Sequence, residues 1–145
     1  MKRLVDIIGS LCGLIFILLL FPFIAFAIFV ESGGPILIKL DRVSDGRTIK
    51  VYKFRSMIRG AHKMKSNLSH LNERKDGPLF KIKNDPRLTK VGKFLRKFRL
   101  DEFPQFINVL KGDMALVGPR PLPDYHVKNY NDFQKRAISI KPGLT

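Results

Sequence analysis

Residues 7–30 carry no charge and are almost all apolar, a run longer than the roughly 20 residues a helix needs to cross a hydrocarbon core. The pattern predicts a membrane segment. A cleaved secretory leader has an apolar stretch of only about 7–15 residues and a small-residue cleavage site, whereas this run closes on Phe29-Val30-Glu31. Pro22 lies inside it, where the ring removes a backbone donor and presses on the preceding turn, so a kink is expected there. Lys2 and Arg3 precede the run, and Lys39, Arg42, Arg47, Lys50, Lys53 and Arg55 follow it, so flanking charge does not orient a span. A helix bent at Pro22 that re-emerges on its side of entry keeps both positive flanks in the cytoplasm. A straight span with a tolerated proline is the alternative.

Beyond the helix stops Ser32-Gly33-Gly34-Pro35 the period changes. Residues 36–40 and 49–54 read as two strands, and Ser44-Asp45-Gly46 supplies a turn between them, predicting a β-hairpin. Residues 61–74 are polar with thin apolar periodicity and read as a surface helix or loop, with His62 and His70 solvated. Thr89 opens a clearer helix in which Val91, Phe94, Leu95 and Phe98 form one stripe opposite Lys90, Lys93, Arg96, Lys97 and Arg99. Such a helix lies in a membrane interface, or packs on a core with its cationic face in water. In Leu100-Asp101-Glu102-Phe103-Pro104-Gln105, followed by Phe106, Ile107 and Leu110, a second helix starts. Pro104 is tolerated only in a first turn, which sets the start at or just before Asp101 or Glu102, with Asp101 as a natural N-cap. The fold class expected is mixed α/β and predominantly helical: a kinked, re-entrant membrane helix, a small β-hairpin and interfacial amphipathic helices.

Charge changes the picture next. The formal net charge of this 145-residue chain is +15, and every basic residue lies outside the apolar run, so the polar part carries a strong positive field. Nucleic acid, acidic phospholipid headgroups and phosphorylated small molecules all answer that field. No nucleic-acid recognition module accompanies the charge, and aromatic residues are not interleaved in a stacking pattern, so nucleic acid is not an expected partner. Cys12 has no second thiol to pair with, which excludes an intramolecular disulfide and a cysteine-rich metal site.

Candidate chemistry is concentrated between residues 100 and 121. Unpaired N–H groups and the positive end of a helix favour a phosphate, so carboxylates at that point can be brought against a bound phosphoryl group. An Asp there can act as a nucleophile and a neighbouring Glu can hold a divalent metal or handle a proton; on spacing alone, however, such a pair is ordinarily a cap that complements the helix dipole. Pro119 and Pro121 restrict the backbone of Arg120, which then loses less entropy on gripping a phosphate with its planar fork. A rigid surface turn with a solvated arginine has the same sequence.

Read together, several ordered motifs resemble the bacterial sugar transferase family, the monotopic phosphoglycosyl transferases. They are Lys2-Arg3 with Asp6 before an apolar helix, Ser32-Gly33-Gly34-Pro35, Arg42-Val43, Tyr52-Lys53-Phe54-Arg55-Ser56-Met57, Asp85-Pro86-Arg87-Leu88-Thr89-Lys90-Val91-Gly92, Leu100-Asp101-Glu102, Asn108-Val109-Leu110-Lys111-Gly112-Asp113-Met114 and Val117-Gly118-Pro119-Arg120-Pro121. Gly77-Pro78-Leu79-Phe80-Lys81-Ile82 is similar to the branch that handles hexose-1-phosphate. The resemblance implies transfer of hexose-1-phosphate from a UDP-sugar to polyprenyl (undecaprenyl) phosphate through an aspartyl phosphosugar, as the first step of exopolysaccharide, capsule or O-antigen synthesis.

It assigns Asp101 and Glu102 to the catalytic pair and to Mg²⁺, and Arg120, Lys53 and Arg55 to substrate phosphate. It also implies a re-entrant helix broken at Pro22, although Phe21 stands where a serine is often found. On this reading residues 1–31 anchor the protein to the cytoplasmic face of the bacterial inner membrane, among anionic lipids, and residues 32–145 form the catalytic domain. Family members run on past the equivalent of Thr145, so the domain is expected to be incomplete at its C-terminus and the isolated chain weakly active or inactive. A non-catalytic membrane-associated remnant or partner-binding anchor is the competing reading.

Overall fold

A computed structural model describes residues 2–44, 47–73, 82–123 and 140–144 of the chain. The apolar run forms α1 (Lys2–Ser32), one α-helix that continues through Pro22. Its buried residues Ser10, Ile17, Ile24 and Ile28 are spaced seven, seven and four apart, so one stripe of the helix faces the rest of the molecule along most of its length. The other faces stay apolar and open: Leu18 is 71% exposed and Phe23 74%.

Both ends of α1 are tied down. At the start, Arg3 donates from Nη1 to the Val109 carbonyl at 2.6 Å and from Nη2 to the Leu110 carbonyl at 2.7 Å, while Asp6 accepts the Leu116 N–H at 2.9 Å. At the finish, Glu31 accepts the N–H groups of Lys90 and Val91 at 2.6 and 2.8 Å. Between these points the helix presents a notch. A Cβ at Gly13 would come within 2.6 Å of the Phe106 ring, so only glycine admits that ring against the helix.

The hairpin forms as expected. β1 (Leu37–Ser44) pairs antiparallel with β2 (Arg47–Phe54) in a register that sets Leu37 opposite Phe54 and Ser44 opposite Arg47. Asp45 and Gly46 of the expected turn, the 77–81 stretch and Thr145 lie outside the described residues. Val43 N–H donates to the Leu122 carbonyl at 2.8 Å, which brings the strand-like segment after Arg120 onto β1. Residues 61–73 carry two short 3₁₀ turns, Lys63–Lys65 and Ser69–Leu71, with His62 and His70 exposed.

Thr89 caps α2 (Lys90–Lys97), its side chain accepting the Gly92 N–H at 2.8 Å. The expected apolar stripe divides in two. Leu95 is 1% exposed, whereas Phe94 and Phe98 are 56% and 53% exposed and stack on each other with centroids 4.9 Å apart. A helix of only two turns touches the core along one narrow line, and Leu95 with Val91 takes it.

Arg99 then adopts a left-handed backbone (φ 57°), a conformation uncommon for a non-glycine residue, and the chain reverses into a 3₁₀ helix (Leu100–Gln105) followed by α3 (Phe106–Lys111). This corrects the capping expectation: Arg99, not Asp101, occupies the N-cap position, and Asp101 and Glu102 lie inside the first turn. The reason is local. The left-handed residue starts the helix two residues early, and the tighter 3₁₀ winding carries Pro104 up to the α-helical part.

Two apolar clusters hold the layers together. Ile17, Ile24, Ile28, Phe54 and Leu95 join α1 to β2 and α2, while Val51, Val109 and Met114 join β2 to α3. Full burial of side chains of this size stabilises by about 1.5–3 kcal/mol each.

Candidate active site

Period-two alternation puts Val51 and Lys53 on one side of β2. Val51 packs on Val109 and Met114, and Lys53 therefore points at the 3₁₀ helix. Its Nζ lies 2.6 Å from Glu102 Oε1 and 3.6 Å from Asp101 Oδ2. Arg120, carried in by the segment that pairs with β1, donates from Nη2 to the same Glu102 oxygen at 2.7 Å. One carboxylate oxygen thus holds two cations.

Asp101 is 4% exposed. Burial acts most strongly on Glu102 and by itself raises its pKa, but the charges and hydrogen bonds of Lys53 and Arg120 together outweigh it and hold the carboxyl below its usual range. Glu102 is therefore ionised at neutral pH despite its burial.

These groups line a cavity of about 750 Å³, bordered by seven arginines (Arg42, Arg55, Arg59, Arg87, Arg96, Arg99, Arg120) and Lys53 against three carboxylates, Asp85, Asp101 and Glu102. Its size is that of a small-molecule site, and its excess of guanidinium groups suits a polyanionic ligand.

The structure brings together Asp101, Glu102, Lys53 and Arg120, four of the residues singled out from sequence. It places Arg55 differently. That residue is 6% exposed and donates to the Gly34 carbonyl at 2.6 Å, the Ser32 carbonyl at 2.7 Å, Ser32 Oγ at 2.8 Å and the Gly33 carbonyl. Arg59 adds two bonds to the Gly34 carbonyl. Arg55 thus binds the carbonyl-rich exit of α1, where the helix dipole is negative, while still bordering the cavity. Pro22 lies in α1, exposed, and does not line this cavity.

Other contributors are visible in the sequence without a role in the site. Arg96 and Arg99, grouped there with a lipid-facing surface, border the cavity, and Arg96 Nε donates to Ser56 Oγ at 2.9 Å. Asp85 and Arg87, each 5% exposed, form a two-pronged ion pair at 2.8 and 2.6 Å, with Arg87 also reaching the Ala61 carbonyl. Hydrogen bonding from Arg87 is the main cause that draws the Asp85 pKa below its usual value, against desolvation. The alternation of charges around Pro86 was the available signal. Asn108, fully buried, stands in the sequence as the first residue of one of the quoted motifs and as the one polar residue among Phe106, Ile107, Val109 and Leu110, with no role assigned to it.

Among the described residues no group of three or more His, Cys, Asp or Glu side chains could hold a metal ion. The adjacent carboxylates of Asp101 and Glu102 are nevertheless a donor set of the kind Mg²⁺ shares with substrate phosphates, since that ion is commonly held by one or two carboxylates plus phosphate oxygens and water.

A family model described as bacterial sugar transferase matches residues 1–145. Among curated relatives, the galactosyl transferase CpsE of Streptococcus agalactiae serotype III is 46% identical over 99% of this chain and 32% of its own length. The undecaprenyl-phosphate galactose phosphotransferase of Salmonella typhimurium is 40% identical over 100% of the chain and 31% of its own. The UDP-glucose:undecaprenyl-phosphate glucose-1-phosphate transferase of Escherichia coli K12 is 40% identical over 100% of the chain and 30% of its own. The chain thus spans about a third of the length of these relatives.

Proposed function

From the premise that the chain belongs to the bacterial sugar transferase family, we propose that it transfers a hexose-1-phosphate from a UDP-sugar to a polyprenyl phosphate at the cytoplasmic face of the bacterial inner membrane. Asp101 is the nucleophile. One of its carboxylate oxygens attacks the sugar-bearing phosphorus of the UDP-sugar, the bond from that phosphorus to the bridging oxygen breaks, and UMP leaves with the electron pair. A phosphate oxygen of the polyprenyl phosphate then attacks the same phosphorus, breaks the acyl-phosphate bond and returns Asp101 to its carboxylate. Atoms and charge balance without a redox partner.

The observation that carries this reading is the arrangement of the carboxylates. Asp101 is buried at the wall of a cation-rich cavity, and its neighbour Glu102 is fixed by Lys53 and Arg120. Asp101 itself lies 3.6 Å from the Lys53 ammonium, and with arginines lining the same cavity the site needs little reorganisation as negative charge builds at phosphorus. Arg120 and Lys53 hold Glu102 in the free protein and are placed to turn to substrate phosphate. Mg²⁺, when bound by Asp101 and Glu102 together with the diphosphate, supplies charge neutralisation at the phosphoryl group.

The arrangement of α1 supports a monotopic attachment. Both of its ends hydrogen-bond to the same polar domain, which a straight span would separate by the width of the bilayer. The open apolar faces of α1, together with exposed Phe94 and Phe98, then enter the membrane from one side, and the surrounding lysines and arginines meet anionic lipid headgroups. The re-entrant course at Pro22 belongs to this proposal.

The deciding experiment is Asp101→Asn in a version extended to the length of the family's catalytic domain, in lipid nanodiscs, assayed for UMP release from UDP-glucose or UDP-galactose with undecaprenyl phosphate. Loss on the order of a thousandfold or more is expected for removal of a nucleophile. UMP release that survives the change unaltered removes Asp101 from that role.

A further inference from the structure

A two-stranded sheet leaves one edge of β2 without a strand partner, and a buried backbone edge must be satisfied by something. Here a single side chain does it. Asn108, 0% exposed on α3, accepts the Tyr52 N–H on Oδ1 at 3.1 Å and donates from Nδ2 to the Lys50 carbonyl at 2.7 Å. Its amide therefore makes the donor and acceptor pair that a neighbouring strand residue would make. The Asn108 carbonyl accepts the N–H groups of Asp113 and Met114 at 3.0 and 3.3 Å, so the residue also closes the end of α3.

The bonded positions flank Val51, and Lys53 is the next residue after Tyr52. Asp101 and Glu102 lie on the 3₁₀ helix that runs directly into α3. The clamp thus joins the element carrying the cation to the element carrying both carboxylates.

We propose that Asn108 is a positioning residue that fixes β2 against the 3₁₀–α3 unit, and so sets Lys53 in register with Asp101 and Glu102. Apolar packing of Val51 on Val109 and Met114 presses the layers together but does not resist sliding along the strand. Directional hydrogen bonds to two backbone groups of fixed spacing do. Amide chemistry is needed because the edge presents one donor and one acceptor: aspartate lacks the donor for the Lys50 carbonyl, and leucine lacks both.

This inference rests on the transferase reading for its functional consequence, but its geometry can be tested apart from activity. The full chain is prepared in nanodiscs as Asn108→Leu, Asn108→Ser and Val109→Ala, and as Lys53→Met alone and combined with Asn108→Leu. The serine form keeps the comparison alive if the leucine form does not fold, and Val109→Ala loosens the same contact without touching the clamp. The first readout is the ¹H–¹⁵N resonance of the Lys53 ammonium, slowed in hydrogen exchange by its carboxylate partners and assigned by its absence in Lys53→Met. It is expected to be lost or broadened in both Asn108 variants and retained in Val109→Ala. The second is the transfer rate. Asn108→Leu is expected to lose about tenfold in kcat/KM, the scale of one charge-assisted hydrogen bond, and the double variant to be no worse than Lys53→Met alone.

A Lys53 resonance unchanged in the folded Asn108 variants overturns the proposal, as does equal loss in Val109→Ala or a double variant whose losses multiply. If the wild-type chain shows no transfer, the transferase reading fails for it while the resonance still decides the role of Asn108.

Discussion

Replacing Gly92 by alanine sets two known effects against each other, and the structure decides between them. Within an isolated helix the change is favourable by about 1 kcal/mol, because alanine has the higher helix propensity. In this fold, however, a Cβ at Gly92 would lie 2.6 Å from the Ser56 carbonyl carbon and 2.8 Å from its Cα, with the carbonyl oxygen closer still. All three are backbone atoms and cannot swing away as a side chain can. α2 must withdraw by about 1 Å, and overpacking of this kind costs about 1–3 kcal/mol.

The withdrawal also lifts Leu95 from its fully buried seat in the cluster with Ile28 and Phe54, adding about 1 kcal/mol of lost packing. The net expectation is a loss of about 1–3 kcal/mol, or a melting temperature lower by roughly 3–10 °C for a chain of this size. Thermal unfolding of wild type and Gly92→Ala in the same nanodiscs measures it. A further mark is specific to the geometry: Arg96 lies one turn beyond Gly92 and binds Ser56 Oγ, so transfer activity falls with stability. A variant that melts at or above the wild-type temperature means that propensity has won, and refutes the close-approach argument.

Two other substitutions separate structure from chemistry. Asp85→Asn leaves Arg87 buried without its ion partner, a loss of about 3 kcal/mol at pH 7; because hydrogen bonding to Arg87 holds the Asp85 pKa below its unfolded value, that stabilisation is complete above the ordinary aspartate range and drains away as pH falls through the folded value. Wild type and variant should therefore converge below about pH 4 in urea or thermal melts, and a gap that stays constant into acid contradicts the assignment. Arg120→Met behaves in the opposite way: its side chain is 64% exposed, so stability should change by less than about 0.5 kcal/mol, while UMP release falls by about tenfold or more. Unchanged turnover would leave Arg120 as a surface residue.

How far the sequence carries differs from element to element. The hairpin is legible because alternation at residues 49–54 is a period-two signal that tertiary context cannot easily reverse. The Thr89 cap is legible because its chemistry is local. The carboxylate pair and Arg120 are visible as charges in unusual settings, but their meeting with Lys53 depends on β2 crossing the 3₁₀ helix, a contact between residues about fifty positions apart. No local pattern encodes it.

The resemblance gives Arg55 to substrate phosphate, and what sequence does not show is that its guanidinium also binds the carbonyl-rich exit of α1 while bordering the cavity. The position of Asp101 within the helix turn depended on a left-handed residue at Arg99, which composition gives no reason to expect of an arginine. Gly13 and Gly92 look like weak points in helices until the packing partner is known. Each is instead a place where a ring or a carbonyl comes too close for a Cβ.

The tethering of α1 also constrains how the protein is made. Arg3 and Asp6 find their partners 106 to 110 residues later in the chain, so at ordinary translation rates those partners emerge roughly 5–20 s after them. Over that interval an apolar helix with thirteen large side chains exposed even in the finished fold has only lipid to meet. On the membrane attachment proposed above, the bilayer would serve as a template: α1 would be laid down first, and the later layers would assemble on a helix already in place. Synthesis without membranes offers no such surface, and the expected product there is an aggregate seeded by α1 before residue 116 has been made.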